Sequence, residues 1–168
     1  MKPDSDGKQT VAWKSMLFVV FALLMLASAG WMSWRDRQLD PATVTIGDNV
    51  KVHVMIADTP TKRERGLAIR DSLAPDEGMY FIFAEPGYPL FWMKDMKFPI
   101  DILWLRKNEL VDMTMDLQPP GPDGALPQVG PRVAVDRVLE VPAGFAARHG
   151  LRLGIKVVPS LDTVSGVR

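Results

Sequence analysis

The chain contains no cysteine among its 168 residues. This absence excludes disulfide bonds, zinc–thiolate sites, thiol nucleophiles and a lipid-modified cysteine at an export signal. Histidine is also scarce, because the only two, His53 and His149, lie far apart and lack the spacing of metal ligands. We therefore expect neither a metal site nor a cofactor.

The chain also lacks an excess of either charge. Twenty Lys and Arg residues balance 20 Asp and Glu residues, so the formal net charge is zero. Proteins that bind nucleic acids usually carry a basic face or a high pI. The composition therefore predicts no nucleic-acid partner.

Charged residues are absent from residues 15–34, "SMLFVVFALLMLASAGWMSW". Twenty residues of helix span about 30 Å, the thickness of the hydrocarbon core of a bilayer. Trp13, Trp31 and Trp34 lie near the ends of this run, where indole rings favour the headgroup level. The pattern predicts a transmembrane anchor at 15–34, preceded by a cytoplasmic tail at 1–14.

A cleaved signal peptide is the alternative interpretation of the same segment. Residues 16–26 have the length of a signal-peptide apolar region, and Ala27-Ser28-Ala29 fits a cleavage pattern that would leave Gly30 as the new N-terminus. Both interpretations place the globular part outside the cytoplasm, in the periplasm or the extracellular space. The first predicts a membrane-anchored protein, and the second predicts a secreted one.

The rest of the chain divides into a linker at 35–42, a domain at 43–158 and a flexible tail at 159–168. Apolar residues alternate on both sides of Gly47-Asp48-Asn49, which predicts a hairpin. Helix signals appear only around 58–66 and 143–150. We expect a β-rich, mainly antiparallel fold: a curled sheet or small barrel-like sandwich with two short helices, preceded by the transmembrane or signal helix.

Proline and glycine dominate residues 118–131, "QPPGPDGALPQVGP". Such a composition cannot sustain a helix or an internal strand. Long loops in compact domains are often mobile or cover a site. The composition predicts that this loop forms the rim of any binding site.

Five sequence blocks occur in a specific order: "RERGLAIR", "GMYFIF", "FWMKDMKFPIDILWL", "VLEVPAG" and "GLRLGIKV". With them the chain resembles the domain-of-unknown-function 192 family over about residues 43–158. The matching positions are Arg65, Gly66, Leu67, Gly78, Met79, Trp92, Met93, Lys94, Pro99, Asp101, Leu139, Glu140, Ala143, Gly144 and Gly154. The resemblance implies a β-rich fold and frequent export, and it brings no established reaction.

Ionic residues inside the apolar block 89–105 raise the question of a site. Lys94 and Asp101 are seven residues apart, with Pro99 between them. A bend at Pro99 would bring the two side chains face to face as a buried ion pair, with Arg65 or Glu140 completing the network. This is the structural interpretation of the block.

Ligand binding is the second interpretation. Trp92 offers a flat face and Met93 an adaptable one, while Lys94 and Arg65 could hold an anionic or polyhydroxyl group. The predicted ligand is a small polar molecule or a carbohydrate of the cell envelope.

The third interpretation is hydrolysis of an envelope glycan by Asp101 with a second carboxylate, Glu140 or Asp95. Glycosidases need two carboxyl groups about 5–10 Å apart in a cleft, and no motif in the chain fixes that separation. We therefore predict a non-catalytic structural or binding module, keep the hydrolase as the alternative, and assign no catalytic residue. The predicted polar cluster is Arg65, Trp92, Met93, Lys94, Asp101 and Glu140.

Overall fold

The computed structural model describes residues 40–122 and 124–160, and within them the chain forms nine strands and three short helical segments. The strands are β1 (Asp40–Ile46), β2 (Val50–Ala57), β3 (Glu77–Gly87), β4 (Phe91–Trp92), β5 (Ile100–Arg106), β6 (Glu109–Leu117), β7 (Gln128–Val129), β8 (Val135–Pro142) and β9 (Val157–Pro159). The helical segments are α1 (Pro60–Arg65), a 3-10 helix (Gly66–Ile69) and α2 (Phe145–Arg148).

Seven of these strands form one sheet in the order β6-β5-β8-β3-β2-β1-β9, and β4 pairs with β7 in a separate two-stranded ribbon. Strands β2 and β3 run parallel, because α1 and the 3-10 helix return the chain between them. The other strand pairs described are antiparallel.

The two edges of the sheet come together at one end. The backbone N–H of Leu110 in β6 donates to the carbonyl of Ile155 at 3.0 Å, and that of Val157 in β9 donates to the carbonyl of Asn108 at 2.9 Å. Glu109 and Lys156 form an isolated antiparallel bridge between them. The sheet is therefore curled so far that its last strand meets its first.

Each face of the curled sheet carries its own apolar core. One core contains Val44, Val54, Tyr80, Leu103, Leu139 and Phe145 among its buried members. The other lies on the opposite face of β3, β8 and β5 and contains Leu67, Met79, Phe81, Met93, Ile102, Trp104 and Val138. The 3-10 helix and the β4 segment supply part of this second core, so they pack against the sheet face that carries the cavity described below.

The predicted β-rich, mainly antiparallel, curled fold with two short α-helices is confirmed, with the 3-10 helix as an addition. The predicted hairpin is also confirmed, because β1 and β2 pair from Ile46↔Val50 onward across Gly47-Asp48-Asn49. The anchor or signal segment predicted at 15–34 lies outside the described residues. Within 40–122 and 124–160, no helix is long and apolar enough to cross a membrane.

Candidate binding site

Helix α1 places basic side chains above the sheet. Thr59 caps the helix by accepting the backbone N–H of Lys62 at 3.3 Å, and Pro60 occupies the first turn, where its missing N–H costs nothing. Gly66 ends the helix at a φ of 49°, which glycine adopts without strain. Arg63 and Arg65 therefore lie in the last turn, directly before the 3-10 helix.

Arg63 fastens α1 to β3. Its guanidinium donates to the carbonyl oxygens of Asp58 at 2.8 Å and Ile82 at 2.9 Å, and its Cζ lies 5.1 Å from the centre of the Phe83 ring. These contacts fix the position of the helix relative to the sheet. Arg63 is therefore primarily a structural residue, although it also lines the cavity.

The β4 segment is held opposite α1 by aromatic packing. The Phe91 ring makes edge contacts with Phe81 on β3, at 4.9 Å between centroids, and with Trp104 on β5, at 5.4 Å. The backbone of Met93 donates to the carbonyl of Pro127 at 3.1 Å. Segment 90–96 is thus a second wall facing α1 and the 3-10 helix.

Glu140 of β8 lies on the sheet between these walls. Its register partners are Met79 on β3 and Ile102 on β5, both fully buried. Glu140 itself is only 6 % exposed, and among the described residues its Oε2 has no hydrogen-bond partner. Burial in these apolar surroundings disfavours the carboxylate and raises the pKa of Glu140 to about 8.

The two walls and the sheet enclose a cavity of about 310 Å³. Its apolar lining comes from Leu67, Ala68, Phe81, Leu90, Phe91, Trp92 and Met96, and its polar lining comes from Arg63, Glu64, Arg65, Lys94 and Glu140. This volume falls at the small end of the range for small-molecule sites, which typically combine apolar walls with a few converging polar groups. We call it the Glu140 cavity.

The charges of the Glu140 cavity are separated by depth. Glu140 is buried, whereas Lys94 and Glu64 are exposed and Arg65 is partly exposed. Cationic groups thus predominate at the mouth, and a single carboxyl group lies below them. Such an arrangement can orient a small ligand that carries an anionic or hydroxyl group.

Four of the six residues predicted as a polar cluster line this cavity: Arg65, Trp92, Lys94 and Glu140. Met93 does not line it, because its side chain is 1 % exposed and belongs to the apolar core behind the wall. The apolar lining residues that the sequence interpretation missed include Leu67, Phe81, Phe91 and Met96. Their apolar character indicated burial, and sequence gave no sign that they share one cavity.

The predicted ion pair between Lys94 and Asp101 is wrong. Asp101 is fully buried, and its carboxylate accepts backbone N–H groups instead: Asp116 at 2.9 Å, Gly144 at 3.2 Å and Ala146 at 2.9 Å. Lys94 is exposed on the β4 segment. The side chain of Asp101 therefore ties β5 to β6 and to the start of α2, with no lysine involved.

Asp101 and Glu140 lie on opposite faces of the sheet. Directly paired residues share a face and consecutive residues alternate. Because Glu140 pairs with Ile102 and Asp101 pairs with Val141, the two carboxyl groups point away from each other. An acid/base pair of Asp101 and Glu140 across one cleft therefore has no geometric basis here.

The proline- and glycine-rich loop does not form the rim that was predicted for it. None of its described residues lines the Glu140 cavity. Instead β7 pairs with β4 through Phe91↔Val129 and Trp92↔Gln128, so the loop supports the β4 wall from behind. The rim consists of α1 and the β4 segment themselves.

A second cavity, of about 450 Å³, lies beside β1, β2 and the start of β3 and is lined in part by His53, Arg70 and Glu77. Arg70 and Glu77 already pair with each other, at 3.0 Å between Nη2 and Oε2. Because its ionic groups are satisfied in this way, this cavity is a weaker candidate than the one at Glu140. No group of three or more His, Asp or Glu side chains in the described part of the chain could hold a metal ion.

The model of the domain-of-unknown-function 192 (DUF192) family, described as an uncharacterized ACR, matches residues 42–159. The chain belongs to this family. The predicted resemblance is thereby confirmed, and the match includes both walls of the Glu140 cavity and, apart from the first two residues of β1, all strands of the sheet. No curated protein matches the chain.

Two solved structures resemble this DUF192 domain. One is a candidate transcription regulator from Sinorhizobium meliloti 1021, with 28% identity and a TM-score of 0.65, covering 73% of this chain and 95% of its own. The other is a protein of unknown function from Novosphingobium aromaticivorans DSM 12444, with 28% identity and a TM-score of 0.61, covering 71% of this chain and 84% of its own. Both similarities support the curled β-rich fold.

Proposed function

We propose that this DUF192 protein is a binding module and that the Glu140 cavity holds its ligand, a small polar molecule with an anionic or polyhydroxyl group. One observation carries the proposal: Glu140 Oε2, a buried carboxyl oxygen without a hydrogen-bond partner in the described part of the chain, lies in a cavity whose mouth is cationic. Burying a polar group unpaired costs about 1–3 kcal/mol. A bound ligand that supplies the missing hydrogen bond offsets that cost.

The walls fit such a ligand. Trp92 is 48% exposed at the mouth and presents ring surface on which a sugar or another flat molecule can pack. Lys94 can reach an anionic or hydroxyl group at the same level. Nucleic-acid binding is not proposed, because the 20 basic and 20 acidic residues leave no net positive charge.

A thermal-shift screen of sugars, sugar acids and small carboxylates against the full-length protein tests this function. We expect at least one compound to raise the melting temperature and Lys94→Ala to reduce that shift. Lys51→Ala is the matched control, since Lys51 is an exposed lysine on β2 that lines neither cavity. If every stabilising compound acts equally on the Lys94→Ala variant, the cavity is not the binding site.

We further propose that the domain works outside the cytoplasm, either anchored by residues 15–34 or released after Ala29. The uncharged run and its flanking tryptophans support this placement. N-terminal sequencing of the protein from the membrane and soluble fractions tests it. An intact N-terminus in the membrane fraction supports the anchor, a start at Gly30 supports cleavage, and an intact protein found only in the cytosol contradicts both.

A further inference from the structure

The floor and the mouth of the Glu140 cavity have opposite chemical requirements. Glu140 Oε2 lies between apolar neighbours and has no hydrogen-bond donor within the described part of the chain. At the mouth, Lys94 presents an exposed ammonium group. When Glu140 is ionised, a partner for the floor must therefore donate, whereas a partner for the mouth must accept.

The aromatic side chains that line the Glu140 cavity favour a bound cation. Phe81, Phe91 and Trp92 all border the cavity, with the Phe81 and Phe91 rings packed edge to face. Aromatic rings attract ammonium groups, most strongly where water is excluded. A ligand amine inside the cavity would therefore have these rings as well as Glu140 among the residues that surround it.

We infer that the ligand is amphoteric: a small molecule whose terminal primary amine enters the cavity and pairs with Glu140, while its anionic group stays at the mouth beside Lys94. This inference rests on the proposed function and specifies the ligand class of the same site. An amine satisfies Glu140 better than a hydroxyl group does, because it supplies both a donor and the opposite charge.

Binding of this kind displaces a proton. With its pKa near 8, Glu140 is mostly protonated at neutral pH. When the ligand ammonium pairs with it, the carboxyl proton leaves to solvent and a carboxylate–ammonium pair remains. About one proton is therefore released for each ligand bound at pH values below 8, and affinity falls about tenfold for each unit by which the pH is lowered below 8.

The other charged groups around the cavity are the α1 side chains of Arg63, Glu64 and Arg65 and, from the β4 segment, Lys94. Arginine and lysine side chains generally keep their charge between pH 6 and 8. Glu64 is exposed to solvent rather than held on the cavity floor. A proton released in this pH range therefore reports on Glu140.

Isothermal titration calorimetry on the full-length protein tests the inference. The probes are ω-amino acids with unbranched chains of two to six carbons, and the matched compounds are the alkanoate and the alkylamine of each length. We expect at least one amino acid to bind about tenfold more tightly than both of its matched compounds. Repeating the titration in buffers of different ionisation enthalpy should show about one proton released per ligand at pH 7.

Two substitutions separate the two ends of the ligand. Glu140→Gln should weaken amino-acid binding at least about tenfold and abolish proton release, while leaving alkanoate binding unchanged. Lys94→Ala should weaken binding of the amino acid and the alkanoate alike. The control is Glu85→Gln, which changes an exposed glutamate outside both cavities and should alter none of these values.

The outcomes distinguish this inference from the proposed function. If an alkanoate binds as tightly as its amino acid, without proton release and with sensitivity to Lys94→Ala, the amphoteric ligand is refuted and the binding function stands. If no amino acid of any length binds, the inference is also overturned. The broader thermal-shift screen then decides the proposed function on its own.

Discussion

Two carboxyl groups on adjacent strands of one sheet show how strongly the immediate surroundings of a residue decide its role. Asp101 is fully buried and accepts three backbone N–H groups, so its side-chain oxygens have hydrogen-bond partners. Glu140 is nearly as buried, but its Oε2 has no such partner. Asp101 therefore stabilises the fold, whereas Glu140 reduces stability whenever it is ionised. A buried residue that lowers the stability of the fold is best explained by a role in function.

Replacing Asp101 with Ala should lower the free energy of unfolding by about 3–5 kcal/mol, because three backbone N–H groups, one of them at the buried Ala146, lose their acceptor. Asp101→Asn should cost less, since the amide oxygen can still accept from one side. Urea denaturation of the full-length protein measures both values. Equal stability of Asp101→Ala and wild type would show that these hydrogen bonds contribute nothing.

The stability of the protein should fall as pH rises toward 8, because of Glu140. Burial raises the pKa of Glu140 from 4.5 to about 8, so the folded state binds more protons than the unfolded state between these values. The penalty is absent below pH 4.5 and complete above pH 8. Glu140→Gln should therefore match wild type at about pH 4 and exceed its unfolding free energy by about 2–4 kcal/mol at about pH 9.

Thermal melts of both proteins across this pH range provide the measurement. Glu85→Gln is again the control and should follow the wild-type curve. If the melting temperatures of Glu140→Gln and wild type changed in parallel with pH, ionisation of Glu140 would not lower the stability of the folded protein.

The pKa of Asp112 on β6 is shifted in the opposite direction to that of Glu140, so its effect on stability has the opposite pH dependence. The exposed guanidinium of Arg132 and the backbone N–H groups of Arg132 and Met113 bond to its carboxylate, and they lower the pKa of Asp112 to about 2. The stabilisation is present above pH 3.8 and is lost as pH falls through 2. Because Arg132 is largely in solvent, Arg132→Ala should lower the free energy of unfolding only slightly at pH 7, measured by urea denaturation, and less still at pH 2.

At the scale of elements, the close approach of β3 and β8 holds Glu140 in place. A Cβ added at Gly78 would lie 2.5 Å from the carbonyl oxygen of Glu140, which is closer than real Cβ contacts allow. Glycine at this position lets the two strands pair tightly. Glycine at position 78 is therefore needed for the packing of β3 against β8, and through it for the position of Glu140 on the cavity floor.

Gly78→Ala should force β3 and β8 apart and destabilise the protein by at least about 2 kcal/mol, because the clash is with backbone rather than with a flexible side chain. Ligand binding should weaken at the same time. Gly87→Ala is the matched control, since Gly87 lies in the same strand with open space around it. Thermal melts of the two variants compare them, and equal melting temperatures would contradict this explanation.

More of the fold than of the candidate site could be predicted from the sequence. Alternating apolar residues on either side of Gly47-Asp48-Asn49 encode the β1–β2 hairpin locally, so the prediction succeeded there. The partner of Asp101 could not be predicted, because its donors come from Asp116, Gly144 and Ala146, which lie 15 to 45 residues away. Proximity to Lys94 in the sequence suggested the wrong partner.

The Glu140 cavity illustrates the same limit. Its lining comes from residues 63–68, 81, 90–92, 94, 96 and 140, which only the packing of α1 and the β4 segment on the sheet brings together. Arg65, Trp92, Lys94 and Glu140 were identified from the family blocks. The separation of Asp101 from Glu140 depends on strand register, which the sequence alone did not determine.

At the scale of the whole molecule, the meeting of β6 with the segment before β9 links the two edges of the curled sheet. Backbone hydrogen bonds, from Leu110 to Ile155 and from Val157 to Asn108, make this closure, and an exposed ion pair of Lys156 with Glu109 lies beside them at 2.8 Å. Exposed ion pairs contribute little, whereas buried backbone hydrogen bonds cannot be lost without cost. The stability of this closure should therefore depend on the backbone hydrogen bonds rather than on the ion pair.

Val157→Pro should cost about 3 kcal/mol or more, since it removes an N–H that bonds across the closure at a fully buried position. Lys156→Ala should change the unfolding free energy by at most about 1 kcal/mol. Amide hydrogen exchange should also show residues 108–110 and 154–157 losing protection together in Val157→Pro. Loss of protection on only one side would mean that the two edges are energetically independent.

The position of Trp92 also gives the domain an intrinsic optical reporter. Its indole is half exposed at the mouth of the Glu140 cavity, whereas Trp104 is fully buried and donates to Thr114 at 3.0 Å. Emission from an indole depends on the polarity around it, so a ligand that covers the mouth should shift the fluorescence of Trp92 and leave that of Trp104 unchanged. Binding of a ligand to the cavity can thus be followed by tryptophan fluorescence, without labelling the protein.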